Sequence, residues 1–361
     1  MNRRGNDEKK LENIIGNTIK KYHLIESNDK IVVAVSGGPD SICLLDYLNR
    51  ITRFPKCPHF IPEPVGTSLM SPVNPGTSGD MLEIVVAHVN HMLREEANDD
   101  EQFVKDYCEK NGIEFYGKSI DVQNLANTNK IGTEEAGRVA RYEFFDEVLR
   151  KTGANKIAIA HNKNDKVETI LLHTLRGSGM EGLKGIEPKR GNIIRPLIEC
   201  ERTQIEKYCE ENQLNPRIDK TNFENIYHRN KIRNVIIPYI QKEFNPNFVK
   251  TMNRLSDIVT LENEYMERQT RKVYQELVLK EKQREIVIDL KKFNLQEIVI
   301  KSRLIRYIIK RLFGTTASIE KIHIDDVIKL CDNNVGNKYL TPNKNVKVLV
   351  KNHRVYFIMQ C

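Results

Sequence analysis

The sequence predicts an α/β protein: a parallel sheet covered by helices on both faces, followed by a second, mainly helical domain. Three observations predict it. Short β-rich runs alternate with helical stretches through the first two hundred residues, and such alternation builds a parallel sheet. The run at residues 31–35 passes straight into the turn Ser36-Gly37-Gly38-Pro39-Asp40-Ser41 and then into a helix, the strand–turn–helix entry of such folds. Beyond residue 215 the apolar pattern changes to long amphipathic helices.

Each element can be justified in order. Residues 31–35 are a β-branched buried strand, and residues 41–50 carry apolar side chains at helical spacing with Pro39 suited to the first turn. Residues 83–90, 112–120 and 155–161 are further strands, separated by helices at about 98–111 and 134–153; residues 191–213 add a strand and a last helix. Residues 246–280, 299–313 and 318–331 read as helices, with short strands at 345–350 and 354–359. The expected domains are therefore 1–215 and 216–361. Residues 54–81 hold six of the thirteen prolines and no periodic apolar face, and are expected to be a disordered insertion.

Composition narrows the function classes. No apolar run reaches the roughly 20 residues of a membrane span, and the polar start is followed by no apolar signal region, so a cytoplasmic, non-membrane protein is expected. The seven cysteines are scattered without a C-x-x-C pair, which suggests reduced thiols rather than a disulfide framework or a cysteine metal site. The net charge is +8, and from residue 301 onward twelve Lys and Arg face four acids; the whole excess lies there. That is either a solvated basic surface or an electrostatic footprint for nucleic acid.

The 36–41 turn carries the chemistry. Gly37 and Gly38 let the backbone approach a ligand, and free N–H groups at a helix start attract phosphate, with Ser36 and Ser41 adding hydroxyl donors. Asp40 would repel phosphate oxygens unless a divalent cation lies between, so Mg²⁺ on Asp40 is inferred. The G-x-x-x-x-G-K-[ST] loop is absent. Three strand ends, at 36–41, 88–91 and 161–165, should converge on one crevice. Asp165 and Glu168 are one helical turn apart there, able to bind a cationic substrate or a metal, against the plainer reading of a solvated helix face. Glu135, Arg138 and Arg141 form a polar stripe suited to phosphate or a base, with surface pairing as the alternative. Asp219-x-Thr221-Asn222 followed by Arg229, Asn230 and Arg233 places two guanidiniums one turn apart, where a substrate could be clamped.

Residues 36–41 resemble the SGG-x-DS loop of the PP-loop ATP pyrophosphatases, a Rossmann-like fold of the adenine-nucleotide hydrolase type. The whole set resembles the tRNA(Ile)-lysidine synthetase family: HVNH-x-LR at 88–94, EA-x-R-x-x-RY at 135–142, HN-x-x-D-x-x-ET at 161–169, RG-x-G-x-x-GL at 176–183, and D-x-[ST]-N then RN-x-IR at 219–233. Gly137 stands where that pattern usually has alanine. The resemblance implies that ATP adenylates the wobble cytidine of a CAU-anticodon tRNA(Ile), after which free L-lysine displaces AMP. It implies ATP binding by Ser36, Gly37, Gly38, Pro39, Asp40 and Ser41 with His88 and His161, lysine held by Asp165 and Glu168, and tRNA contacts from Glu135, Arg138, Arg141, Arg176, Asn222, Arg229, Asn230 and Arg233. Asp40, Asp165, Glu168 and Arg138 are the implied catalytic set, and a homodimer is implied too. A tRNA thiolase of the same ATP-activating class is the rival, but such enzymes carry paired cysteines. An amidating ligase would need an ammonia source, and a non-catalytic RNA-binding protein would not need the three acids.

Overall fold

A computed structural model describes residues 4–53, 82–92, 97–217, 228–314, 319–333, 338–343 and 345–360. The insertion expected at 54–81 lies outside the described residues, as do Arg94, Asp219 and Asn222. The chain forms two compact units, Met1–Ser256 and Asp257–Cys361.

In the first unit, β1 (Lys30–Ala34), β2 (Glu83–Asn90), β3 (Glu114–Ser119), β4 (Lys156–Ala158), β5 (Lys189–Arg190) and β6 (Ile193–Ile194) form one sheet in the order β3-β2-β1-β4-β6-β5. All pairs are parallel except β5 with β6. The expected parallel sheet is present. Its helices are α1 (Arg4–Lys21), α2 (Pro39–Arg53), α3 (Ala97–Asn111), α4 (Val122–Asn129), α5 (Thr133–Thr152), α6 (Lys163–Leu175), α7 (Met180–Leu183) and α8 (Arg202–Glu211). Alternation along β1 divides the core: Ile31 and Val33 pack with apolar residues of α1, α2, α3 and α8, whereas Val32 packs with Phe144, Phe145 and Val148 of α5. Both faces are thus dry, which is why β1 reads as a continuous apolar run.

The first unit continues past residue 215. After α9 (His228–Lys231) comes a π-helical turn, Ile232–Ile236, then α10 (Ile237–Glu243) and the start of α11 (Phe248–Leu277). Pro238 has no N–H to close an α-helical bond to the preceding turn, and the Ile237 N–H instead reaches the Ile232 carbonyl. Ile232 and Ile237 pack on Val167 of α6 in a small core with Val249. That core places the division at Ser256, about forty residues later than the expected boundary.

The second unit is mixed rather than simply helical. The rest of α11, then α12 (Leu290–Asn294), α13 (Ile298–Phe313) and α14 (Lys321–Asp332), accompany an antiparallel sheet in the order β7-β8-β11-β10-β9. Its strands are β7 (Val278–Lys282), β8 (Glu285–Asp289), β9 (Lys338–Asn343), β10 (Val346–Lys351) and β11 (Arg354–Met359). The last two match the strands expected at the end of the chain. The helix expected at 246–280 stops at Leu277, where β7 begins.

Candidate active site

The carboxyl ends of β1, β2 and β4 carry the three motifs expected to converge. The 36–41 turn is braced from within: the buried Ser41 hydroxyl donates to the Gly38 carbonyl (3.0 Å) and accepts the Ser36 N–H (3.1 Å). Ser41 therefore shapes the loop, and its hydroxyl also lies 3.2 Å from that of the exposed Ser36. Gly37 adopts φ +88°, the left-handed region that favours glycine. A methyl group there would also lie 3.7 Å from Val104 of α3. The Arg217 N–H closes on the Gly37 carbonyl at 3.0 Å, and its guanidinium holds Asp100 of α3 at 3.3 Å.

Asp40, at the start of α2, is tied across the crevice to the next motif. Its Oδ1 accepts the Asn162 side-chain N–H at 2.8 Å. Asn162 is fully buried and caps α6: its Oδ1 accepts the Asn164 and Asp165 N–H groups, and its own N–H donates to Asp165 Oδ2 at 3.0 Å. Because that oxygen faces the helix, the amide N–H₂ must face Asp40. Burial above all, then the neighbouring charge of Asp165, pushes the Asp40 carboxyl up to about 6.

Asp165 and Glu168 do share one face of α6, and both are buried. They are not solvated acids: guanidiniums cover them. Arg233 grips Glu168 with both Nε (2.6 Å) and Nη2 (2.7 Å), Arg229 Nε adds a third bond at 2.9 Å, and Arg202 Nη2 stands 3.9 Å away. Asp165 Oδ1 is held more loosely, at 3.1 Å from Arg233 and 3.6 Å from both Arg229 and Arg202. With Asp40, three carboxylates meet three guanidiniums in one cluster. Bidentate arginine–carboxylate pairing supplies its rigidity.

The expected histidines play different parts. His88 is buried, stacks near Phe115 (6.4 Å) and bonds through Nδ1 to the Val35 carbonyl at 2.9 Å; it supports the loop from behind. His161 accepts, at Nδ1, a bond from Arg195 Nε at 3.0 Å. On α5, Glu135, Arg138 and Arg141 are exposed as the stripe predicts. Arg138 lies over the Tyr142 ring (5.2 Å) and Arg141 bonds its own Gly137 carbonyl (3.2 Å). A methyl group on Gly137 would meet Val122 at 3.5 Å, an ordinary contact, so alanine would fit there. Arg176 is exposed at the end of α6, and the following glycines fold back on that helix, with the Gly182 carbonyl 3.1 Å from His173 Nδ1. Asn230 lies on α9 between the two paired arginines.

Sequence reasoning missed Asn162, Arg195, Arg202 and Arg217. Asn162 was legible in principle, since Asn followed three residues later by an acid is a helix-start signature. The three arginines had no local signal, because their side-chain partners are 34 or more residues away.

This is a parallel sheet with a glycine turn at its central strand end and a paired-charge cluster beside it. The PP-loop domain model matches residues 5–240, and the chain belongs to that family. Within it, the curated relatives the chain resembles include tRNA(Ile)-lysidine synthases. Identity is 45% over 333 residues with that of Clostridium acetobutylicum, covering 92% of this chain and 66% of the relative. It is 40% over 336 residues with that of Clostridioides difficile, covering 92% and 67%. The chain thus spans about two thirds of the length of these relatives. Among solved structures, the U34-tRNA thiolase NcsA from Methanococcus maripaludis aligns with TM-score 0.54 at 17% identity, over 71% of this chain and 80% of that one, which shows the shared fold.

Proposed function

We propose that the chain is a tRNA(Ile)-lysidine synthase. In this reading ATP adenylates the C2 oxygen of the wobble cytidine in CAU-anticodon tRNA(Ile), pyrophosphate leaves, and the ε-amine of free L-lysine displaces AMP. The observation that carries it is the Asn162 bridge, which ties the phosphate turn at Asp40 to the acid pair of α6 across 2.8 Å. Activation and nucleophile capture can thereby share one crevice. Similarity to the clostridial synthases supports the choice of substrate.

The turn N–H groups and the Ser36 hydroxyl receive the phosphates. Asp40 fits a divalent cation: burial and Asp165 leave its carboxylate poorly neutralised. Mg²⁺ held there by Asp40 would supply positive charge to offset that of the departing pyrophosphate. Arg138 and Arg141, exposed on α5, receive the cytidine and its phosphate. Lysine enters with its ammonium on Asp165 Oδ1, which the arginines hold less closely than they hold Glu168, exchanging for a guanidinium. Glu168, gripped by two arginines, fixes the geometry. Free lysine must lose a proton before attack, since its amine has a pKa of about 10.4; Asp165 or water accepts it. The cytoplasmic location and the homodimer belong to the same proposal.

The thiolase alternative is not favoured. Cys43, Cys108, Cys200, Cys209 and Cys331 are all buried, and burial raises the thiols of Cys43, Cys108, Cys200 and Cys331, the opposite of what a sulfur carrier needs.

Pyrophosphate release on adding tRNA, with lysine left out, tests the first half-reaction. Release that requires the CAU transcript and falls about 100-fold or more in Asp40→Asn is expected. Release indifferent to tRNA would sink the reading.

A further inference from the structure

Arg195, just after β6, is a buried cation, 5% exposed, and among the described residues it forms no ion pair. Its hydrogen bonds go instead to the Glu187 carbonyl (2.7 Å) and to His161 Nδ1 (3.0 Å). A guanidinium has donors only and stays charged at any working pH. His161 Nδ1 must therefore hold a lone pair, and the proton of the neutral ring sits on Nε2. Protonating the ring would place a hydrogen on Nδ1 against the guanidinium.

Other cations press in the same direction. Burial first, then the charges of Arg195, Arg229, Arg138 and Arg141, hold the ring's basicity well below the usual histidine range. A neutral N–H on a ring bonded to a guanidinium is suited to an anionic oxygen and unsuited to accepting a proton.

We propose that Arg195 is a positioning residue that holds His161 as a neutral Nε2–H donor to a phosphoryl oxygen, so that His161 is not the base that deprotonates the incoming amine. The phosphoryl part rests on the adenylation proposed above; the tautomer does not.

Two measurements on the full chain separate these. The first is ¹⁵N NMR of the histidine-labelled protein without ligands, the His161 signal being assigned by its loss in His161→Gln. The expected result is an Nε2–H ring that stays neutral through the pH range in which an ordinary histidine titrates, and whose titration moves up toward the ordinary value of about 6.5 in Arg195→Gln. An Nδ1–H ring, or ordinary titration in the wild-type protein, overturns the proposal. The second is tRNA-dependent pyrophosphate release. His161→Gln, which keeps an N–H near the Nε2 position without basicity, should retain activity within about tenfold, against a loss of about 100-fold in His161→Ala. Equal losses overturn the donor role. A wild-type protein that releases no pyrophosphate refutes the adenylation reading and leaves the NMR result standing.

Discussion

In the proposed reaction a single carboxylate, at the start of α2 beside the glycine turn, carries much of the chemistry. Asp40 titrates at about 6 in the folded protein against an ordinary value of 3.8. The folded state therefore holds this proton more tightly than the unfolded state. Ionised Asp40 destabilises the fold above pH 6, and the penalty fades as pH falls through 6 toward 4. Asp40→Asn should then raise stability at pH 8 by about 1–2 kcal/mol, with no gain at pH 4, while abolishing pyrophosphate release. Thermal melts of both proteins at the two pH values check this; an equal gain at both would refute the burial argument. The position of Asp40 at the start of α2, after the glycine turn, was legible in the sequence. Asn162 and Arg195 were not, since each acts through a contact that only folding creates.

At the scale of elements, α6 is fastened to α9 and the π-helical turn by Glu168 with Arg229 and Arg233. Glu168 is 1% exposed, so neutralising it strands two guanidiniums in a poorly solvated place. Glu168→Gln should cost about 3 kcal/mol, seen as a lower unfolding midpoint, and Arg233→Met should cost a comparable amount. A loss below about 0.5 kcal/mol in both would mean that the cluster is a surface pairing. The 161–169 and 229–233 motifs were both visible as motifs, but their pairing was not. The acids read as an open cation site, whereas more than sixty residues separate them from Arg229 and Arg233, which hold Glu168. The hairpin of β7 and β8 was missed for a related reason: β8 owes its place to pairing with β11, nearly seventy residues on, while the charged run at 278–285 continues the polar face of the preceding helix.

For the whole molecule, charge and architecture separate the two units. The excess of basic residues lies in the second, and exposed Arg306 and Lys310 of α13 are part of it. As a phosphate-contacting surface it should give tRNA affinity a steep salt dependence. Reversing Arg306 and Lys310 to Glu together should weaken tRNA binding about tenfold or more and reduce the salt slope by about two, leaving turnover at saturating tRNA intact. Unchanged binding would return α13 to the status of a solvated face. The parallel sheet was legible because both of its faces are dry and its strands read as apolar runs. The boundary was not, because a helix crosses it: α11 begins on the core of the first unit and ends in the second. The central claim concerns the nucleophile, and the most direct measurement is ATP-dependent transfer of labelled L-lysine to an isoleucine tRNA transcript. Incorporation into the CAU-anticodon transcript, absent from a GAU-anticodon control and lost in Asp40→Asn, is the predicted result. ATP cleaved to AMP and pyrophosphate with the CAU transcript, but no lysine attached, would contradict the claim and assign the activated base to another nucleophile.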